Sequence, residues 1–516
     1  MTNPLNKLFL NENYQISFSA IVILNLLLSA WLIAITPTIN NDGILYLITA
    51  QNYLSEGLSS AFASYSWPFY SICFAIISDI SGLPLLFSAQ LITTLGFTLL
   101  SYAFVRLVAA MGGNQRTQYI ALFVILFQPL YANYRATLMR DPIFLGFMLL
   151  SLVELIRYHS NPTFKTIIKW ASYSALSFLA RPEAIIISAL TPLSMLLCTN
   201  KTLQKNLVGC LHFYATPLLI LFFISVTALA LSPDILNQTK PFQDAESYIK
   251  LLTSLHSEVT NIAKIVADTA LIHSAKDDAV SLTYIMLSSI SLINILSVLT
   301  PIYTALLIYA MFFVDDAITI SKPAKWVIIN ALLITLFYLL VFTLSRRFSL
   351  ERYSFHSAVF LLLFIPFIVN HLLLQHGKKV KIAIYIIAAC YFLDTIHNTN
   401  YKKTYIKDAA QWIQHNNPDN LPIITNVSHI AYFGNPEKAN NRGASESSMT
   451  ILKGKLKKDY IYAVEAKGNL SQLEKLAERR NVKKLQVIKS GTKKSVLIFK
   501  LKNKDIKEKI KGTPNS

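Results

Sequence analysis

Apolar runs close to 20 residues long recur through the first four hundred residues of this chain, beginning with Ser17–Thr36. A helix needs about 20 apolar residues to cross the hydrocarbon of a bilayer. Of the 516 residues, 53% are hydrophobic and only 15% charged, and the mean hydropathy is +0.45. A soluble chain carries about 25% charged residues. The sequence therefore specifies a polytopic membrane protein, and its function must lie in what interrupts the runs. The first run follows Lys7, is long for the apolar stretch of a signal peptide and has no clear cleavage site, so it reads as an uncleaved first span.

About eleven spans are expected. They are Ser17–Thr36, Leu83–Ala109, Gln118–Tyr134, Pro142–Ile156, Ile167–Ala180, Ala184–Cys198, Leu207–Leu231, part of Ile285–Val314, Val327–Leu344, Phe355–Leu374 and Ile382–Phe392. Several are short for a full crossing, which predicts broken or membrane-edge helices among them. The expected fold is an all-α polytopic membrane bundle. Amphipathic helices lie in the outer loops 37–82 and 232–284, and a small α/β domain ends the chain. The transmembrane domain occupies 1–396 and the C-terminal domain 397–516.

Charge sets the topology. With Lys7 in the cytoplasm, the predicted inner loops hold Arg106 and Arg116, then Arg157, Lys165 and Lys169, then Lys201 and Lys205, then Lys322 and Lys325, then Lys378, Lys379 and Lys381. Every predicted inner loop is basic, a coherent positive-inside pattern. The same count puts "LSRRFSLERY" (344–353) on the outer side with the C-terminal domain. Arg346, Arg347 and Arg352 thus oppose the trend. So do Arg135 and Arg140 in "YRATLMRDP", and Arg181 in "LARPEA". The short outer loops choose arginine over lysine, and the guanidinium is a planar fork suited to phosphate or carboxylate. Acids accompany them: Asp42 in "TINNDGILYL", Asp141, Glu183 and Glu351.

Each motif also has a plain structural explanation. Asp42 would cap a helix starting at Gly43, and Asp141 would cap one with Pro142 at its first position. Glu183 suits a helix N-terminus, and Arg346 and Arg347 would snorkel to headgroups. Four such motifs on one face, against the positive-inside trend, favour a site. "GILYLITAQNYLSEGL", "SWPFYSICFAIISDISGL" and "YIKLLTSLHSEVTNIAKIVADTALI" read as amphipathic helices able to lie at the outer interface. The span centres carry almost no ionisable residues, which argues against an ion-coupled transporter.

The net charge of +19 is concentrated late: from residue 401 onward 24 lysines and arginines stand against 10 acids. The tail carries no nucleic-acid-binding motif, so a solvated face or one resting on anionic headgroups is expected. Its helical and strand-like segments alternate as "KTYIKDAAQWIQHN", "LPIITN", "DYIYAVEA", "NLSQLEKLAERRN", "LQVIKS" and "SVLIFKLK". Cys73, Cys198, Cys210 and Cys390 show no metal spacing or disulfide framework. No cofactor is expected and no compact metal-ligand motif occurs, although carboxylates from separate loops leave a divalent cation open.

The acid after the first span in "NDGILYLITAQNYL", with "YRATLMRDPIFLGFMLLSL", "LARPEA" and "RRFSLERY", resembles the GT-C glycosyltransferases. The group in view is the bacterial relatives of protein O-mannosyltransferases together with the lipid A aminoarabinose transferase. "YIKDAAQWIQHNNPDNLPIITNVSHIAYFGN" resembles the start of that group's soluble domain. The resemblance implies a bacterial inner-membrane enzyme whose site faces the periplasm. A polyprenyl-phosphate-linked sugar would be its donor and a lipid, glycan or protein hydroxyl its acceptor. Asp42 would be the base. Asp141 is the second choice, or a group that orients an arginine. Arg135, Arg140, Arg181, Glu183, Arg346, Arg347 and Arg352 would bind substrate, the arginines on the donor phosphate. "YSWPFYS" replaces a His-Pro-Pro-like stretch common in relatives. Two other functions compete: a flippase or transporter for a lipid-linked sugar, and a non-catalytic assembly protein for envelope polysaccharide.

Overall fold

A computed structural model describes residues 16–197, 204–215, 241–313, 320–397, 403–435, 447–457, 459–480, 482–490 and 494–501. The chain divides into two compact units. The first comprises residues 1–29, 91–135 and 140–396; the second comprises residues 30–90, 136–139 and 397–516.

The described residues contain five helices long and apolar enough to cross a membrane: Phe18–Ile35, Leu85–Ala110, Asp141–Ser160, His273–Phe313 and Lys322–Arg346. The bent pair Glu351–Leu362 and Ile365–Gln375 makes a sixth if counted as one span. The protein is a mostly helical integral membrane protein, and among the described residues five or six of the eleven expected spans are long enough to cross. Part of the expected span Leu207–Leu231 lies outside the described residues, as do the first fifteen residues with Lys7.

The shortfall has a physical cause. Proline removes a helical donor and clashes with the preceding turn, at about 3 kcal/mol in a helix interior. The expected span Gln118–Tyr134 is cut into Gln115–Leu126 and Pro129–Tyr134, with Gln128 capping the second piece by accepting from the Tyr131 amide at 2.8 Å. The span from Ala184 becomes a seven-residue α-helix followed by the 3-10 turn Thr191–Leu197 around Pro192. The helix Ala279–Phe313 breaks at Thr300 (φ 63°), just before Pro301. A backbone carbonyl freed inside a bilayer needs a partner from elsewhere in the protein. Gln128 Nε2 supplies one to the Val298 carbonyl at 2.8 Å, and Asn330 Nδ2 donates to the Leu190 carbonyl at 3.1 Å. The breaks are thus stitched to neighbouring helices by amide side chains.

The core of the first unit is one contiguous apolar cluster. It includes Phe97, Phe104, Phe144, Leu149, Ile328, Phe355 and Phe360, each almost wholly buried. Helices Asp141–Ser160 and Phe164–Ala180 form a hairpin in it, and the Ser177 hydroxyl donates to the Phe144 carbonyl at 3.0 Å. Gly146 lets the Asp141–Ser160 helix approach its neighbour: a Cβ there would lie 2.7 Å from Leu99.

In the second unit, the helix Asn41–Glu56 packs beside Leu58–Ser64 and Phe69–Ser81 through edge-to-face contacts of Tyr46 with Tyr65 and Tyr70. Asn40 clasps the segment 136–139: its Nδ2 donates to the Leu138 carbonyl at 3.1 Å, and its Oδ1 accepts from the Leu138 amide at 3.0 Å. The C-terminal part is a four-stranded mixed sheet of order β1-β2-β4-β3: β1 Ile423–Thr425, β2 Ile461–Lys467, β3 Val482–Lys489 and β4 Lys494–Leu501. β1 runs parallel to β2, and β4 is antiparallel to both β2 and β3. Successive strand residues point to opposite faces. Val496 and Ile498 accordingly meet the helix Thr404–His415, while Leu497 and Phe499 meet Leu470–Arg479 and Ser448–Lys453. The short helix Ser428–Phe433 packs on Thr404–His415 and also on Asn41–Glu56, so the tail and the first outer loop belong to one unit.

Candidate functional site

The helix Phe164–Ala180 stops because Pro182 disfavours a helical conformation at the residue before it. Arg181 is extended there (φ −149°, ψ 130°). Its side chain turns inward and is 5% exposed. Arg181 Nη2 donates to Glu183 Oε1 at 2.8 Å and Nε to Glu183 Oε2 at 3.2 Å, a bidentate fork, and Nη1 donates to Asp141 Oδ1. Both carboxylate side chains are 10% exposed. Buried charges persist only when paired and hydrogen-bonded, and removing one partner costs roughly 3–5 kcal/mol.

Aromatic and polar groups close around this ion triad. The Tyr338 hydroxyl donates to Glu183 Oε1 at 3.2 Å, and His356 Nε2 lies 3.3 Å from Asp141 Oδ1. The Arg181 guanidinium stands over the rings of Tyr353 (5.7 Å) and Phe144 (5.8 Å). Arg352 lies over Tyr353 at 4.8 Å and donates to its hydroxyl at 2.8 Å. Arg140 donates to the Ala180 carbonyl at 3.4 Å. Burial pushes the Glu183 carboxyl up, but the Arg181 charge and hydrogen bonds, with Arg140, outweigh burial and hold it at about 2. Burial alone would lower the Arg181 guanidinium, yet Glu183 and Asp141 reverse this and hold it well above its ordinary range. The charge of Arg352 also acts on Asp141. Three guanidiniums therefore stand against two carboxylates. Each charged member sits at a helix end or in a linker: Asp141 opens one helix, Arg181 and Glu183 join two, and Arg352 is the second residue of Glu351–Leu362.

The structure brings together Arg140, Asp141, Arg181, Glu183 and Arg352 from the sequence-derived set. His356, Tyr338 and Tyr353 were not in that set. His356 had one signal: it follows Arg352 by four residues and shares its helix face. Arg135 goes elsewhere. It is 1% exposed, its Nη1 donates to Asn25 Oδ1 at 3.0 Å and reaches Ser29 at 3.4 Å, and its guanidinium stands 4.8 Å from the Phe97 ring centre. Arg346 and Arg347 are exposed at the end of the helix Lys322–Arg346, outside the buried group, with Arg347 in the left-handed region (φ 61°). Glu351 accepts from the Ser297 hydroxyl at 2.5 Å.

Asp42 lies in the second unit, half-buried in the first turn of Asn41–Glu56. The two capping expectations are corrected. The helix starts at Asn41 with Asn40 as its N-cap residue, so Asp42 is inside the first turn, where the helix dipole favours an acid. Asp141 is likewise the first helical residue, with Arg140 at the cap, and its carboxylate is spent on Arg181 rather than on a backbone amide. Among the described residues no group of three or more His, Cys, Asp or Glu side chains is placed to hold a metal ion.

The spans and this buried acid–guanidinium group define a polytopic integral membrane protein with a charged cluster at one end of its helices. No family model and no curated protein matches the chain. Among solved structures, the chain is similar to the crystal structure of ArnT from Cupriavidus metallidurans bound to undecaprenyl phosphate. The identity is 13% and the TM-score 0.39, over 93% of this chain and 97% of that one. ArnT is a lipid A aminoarabinose transferase of the GT-C class, the group the sequence motifs resemble. A superposition this loose transfers neither residues nor ligand.

Proposed function

We propose that this protein transfers a sugar from a polyprenyl-phosphate-linked donor to an acceptor hydroxyl at the periplasmic face of the bacterial inner membrane. The observation that carries the reading is Arg181, clamped at a bundle end between Asp141 and Glu183 with Arg140 and Arg352 beside it. In the reaction the bond between the anomeric carbon and the phosphate oxygen breaks, and the electron pair leaves on the lipid phosphate. The acceptor oxygen forms the new bond to the anomeric carbon and gives its proton to a base. Negative charge grows on the phosphate, and preorganised cations lower that barrier; one such donor is worth about 3–4 kcal/mol. Arg140, Arg181 and Arg352 take this role, with the exposed Arg346 and Arg347 as outer contacts for the lipid phosphate. Asp141 and Glu183 hold the Arg181 fork in register, and Asp42 accepts the acceptor's proton. A single displacement inverts the anomeric carbon. Arg135, enclosed among Asn25, Ser29 and Phe97, is reassigned to holding the bundle together.

The competing flippase or transporter reading needs polar groups continuing through the bundle. The Arg135–Asn25–Ser29–Ser101 group is polar, but these residues are 0–1% exposed, which makes it a sealed knot rather than a path. The test is the Asp42→Asn protein in membrane vesicles supplied with polyprenyl-phosphate sugar and deletion-strain envelope as acceptor. Lost transfer with retained binding of polyprenyl phosphate supports the reading, and unchanged transfer removes Asp42 from the mechanism.

A further inference from the structure

A second charged site lies at the other end of the hairpin that carries the Asp141–Arg181 group. The helix Asp141–Ser160 has 20 residues, so at 1.5 Å per residue its ends are about 30 Å apart, the thickness of a bilayer's hydrocarbon. At the far end a cavity of about 450 Å³ is lined by Arg106, Arg157, Ser160, Asn161, Thr163 and Thr166. Its lining comes from the end of Leu85–Ala110, the end of Asp141–Ser160, and the turn into Phe164–Ala180. We infer that this cavity binds the phosphodiester headgroup of an anionic phospholipid in the leaflet opposite the Asp141–Arg181 group.

Arg157 is positioned rather than loose. Its Nη1 donates at 2.6 Å to Glu154, which is itself 3% exposed one turn back on the same helix. One anchored nitrogen leaves the rest of a five-donor fork to face the cavity. Arg106 adds a second guanidinium from a different helix, and planar forks in pairs suit phosphate oxygens better than a single point charge does. Ser160 and Asn161 supply neutral donors at the same wall, while the Thr166 hydroxyl donates to the Thr163 carbonyl at 2.6 Å. A cationic residue that merely snorkels needs no cavity and no shared partners.

The surroundings point to a phosphate that carries acyl chains. Ile156, Ala109 and Ala110 make the cavity's apolar side. Phe164 (66% exposed) and Ile168 (41%), one helical turn apart, give the helix that follows Thr163 an exposed apolar stripe. Basic residues at a membrane edge attract anionic headgroups in any case; the cavity adds a defined seat. This inference does not depend on the sugar-transfer reading, because none of its residues belongs to the Asp141–Arg181 group.

The test is native mass spectrometry of the full-length protein in neutral detergent, titrated with phosphatidylglycerol, with phosphatidylcholine of the same chains, and with glycerol 3-phosphate. Phosphatidylglycerol is expected to bind at least about tenfold more tightly than phosphatidylcholine. Arg106→Gln removes one fork. Thr166→Leu sets an apolar side chain against the phosphate seat while keeping both arginines, which guards against a variant that fails for want of charge balance. Both are expected to abolish the preference while thermal unfolding stays unchanged. Glycerol 3-phosphate competing at equal concentration, with the same loss in both variants, would uphold the phosphate seat and assign it to a soluble phosphate ester. Equal binding of the two lipids, or a preference that survives both substitutions, overturns the proposal.

Discussion

Arg181 grips Glu183 with two nitrogens, Nη2 at 2.8 Å and Nε at 3.2 Å, across a single proline. That proline both ends the preceding helix and turns the guanidinium inward, so a three-residue word in the sequence makes a buried bidentate ion pair. Lysine has no fork to replace it. Arg181→Lys is expected to lower transfer by about 10²–10³-fold, the cost of losing one preorganised donor. Arg181→Ala also leaves two buried carboxylates short of a partner and should cost about 3–5 kcal/mol of stability. Initial rates of transfer and thermal unfolding in the same detergent check both.

Asp141 and Asp42 separate by kinetics. If Asp141 only orients Arg181, Asp141→Asn weakens the donor site and raises KM for the lipid-linked donor about tenfold. Because Arg181 acts on charge that grows in the transition state, kcat falls as well, and in an Arg181→Lys background Asp141→Asn should add little. A further large loss in that background would instead make Asp141 the base.

Gly43 has a steric role. A Cβ at that position would lie 2.7 Å from Asn40 Oδ1 and 3.0 Å from Leu138 Cβ. Gly43→Ala should therefore loosen the Asn40–Leu138 clasp at a cost of about 1–3 kcal/mol, as overpacking generally does. Hydrogen exchange of residues 41–56 measures it, with faster exchange the expected result.

The C-terminal domain carries a pH dependence of its own. Burial, then the charge of Lys407, lowers His429 to about 4. Its ring stacks obliquely on Phe433 at 4.5 Å. The unfolded histidine titrates near 6.5, so between that pH and about 4 the unfolded state binds more protons. Stability is full above 6.5 and falls as the pH drops through this window, by up to about 3 kcal/mol. His429→Phe should flatten the profile, read as hydrogen exchange over residues 403–435 between pH 7 and 4.

Legibility from sequence followed the range of the interactions. Five or six of the expected spans were readable because hydropathy is local, and the arginine clusters because charge is. Arg181 and Glu183 were both legible as candidates, two residues apart, but their bidentate pairing came from the fold. The tail's alternation of helix and strand was readable too, but its strand order β1-β2-β4-β3 was not, since pairing is set by contacts that no local pattern encodes. The shortness of several runs predicted breaks, and three of these fall at Pro129, Pro192 and Pro301. Run length did not say that Gln128 would take up a carbonyl 170 residues away. His356 meets Asp141 across 215 residues, and Arg135 meets Asn25 across 110. Both needed the fold: one arginine from "YRATLMRDP" joined the cluster and the other was buried in a separate knot.

The most direct measurement is single-turnover sugar transfer by Asp42→Asn beside the native protein, with polyprenyl-phosphate binding measured on the same samples. A general base contributes about 10²–10⁴-fold, so the variant should lose at least about a hundredfold in rate while binding the lipid phosphate as before. Transfer at the native rate, with lipid binding intact, would contradict the account.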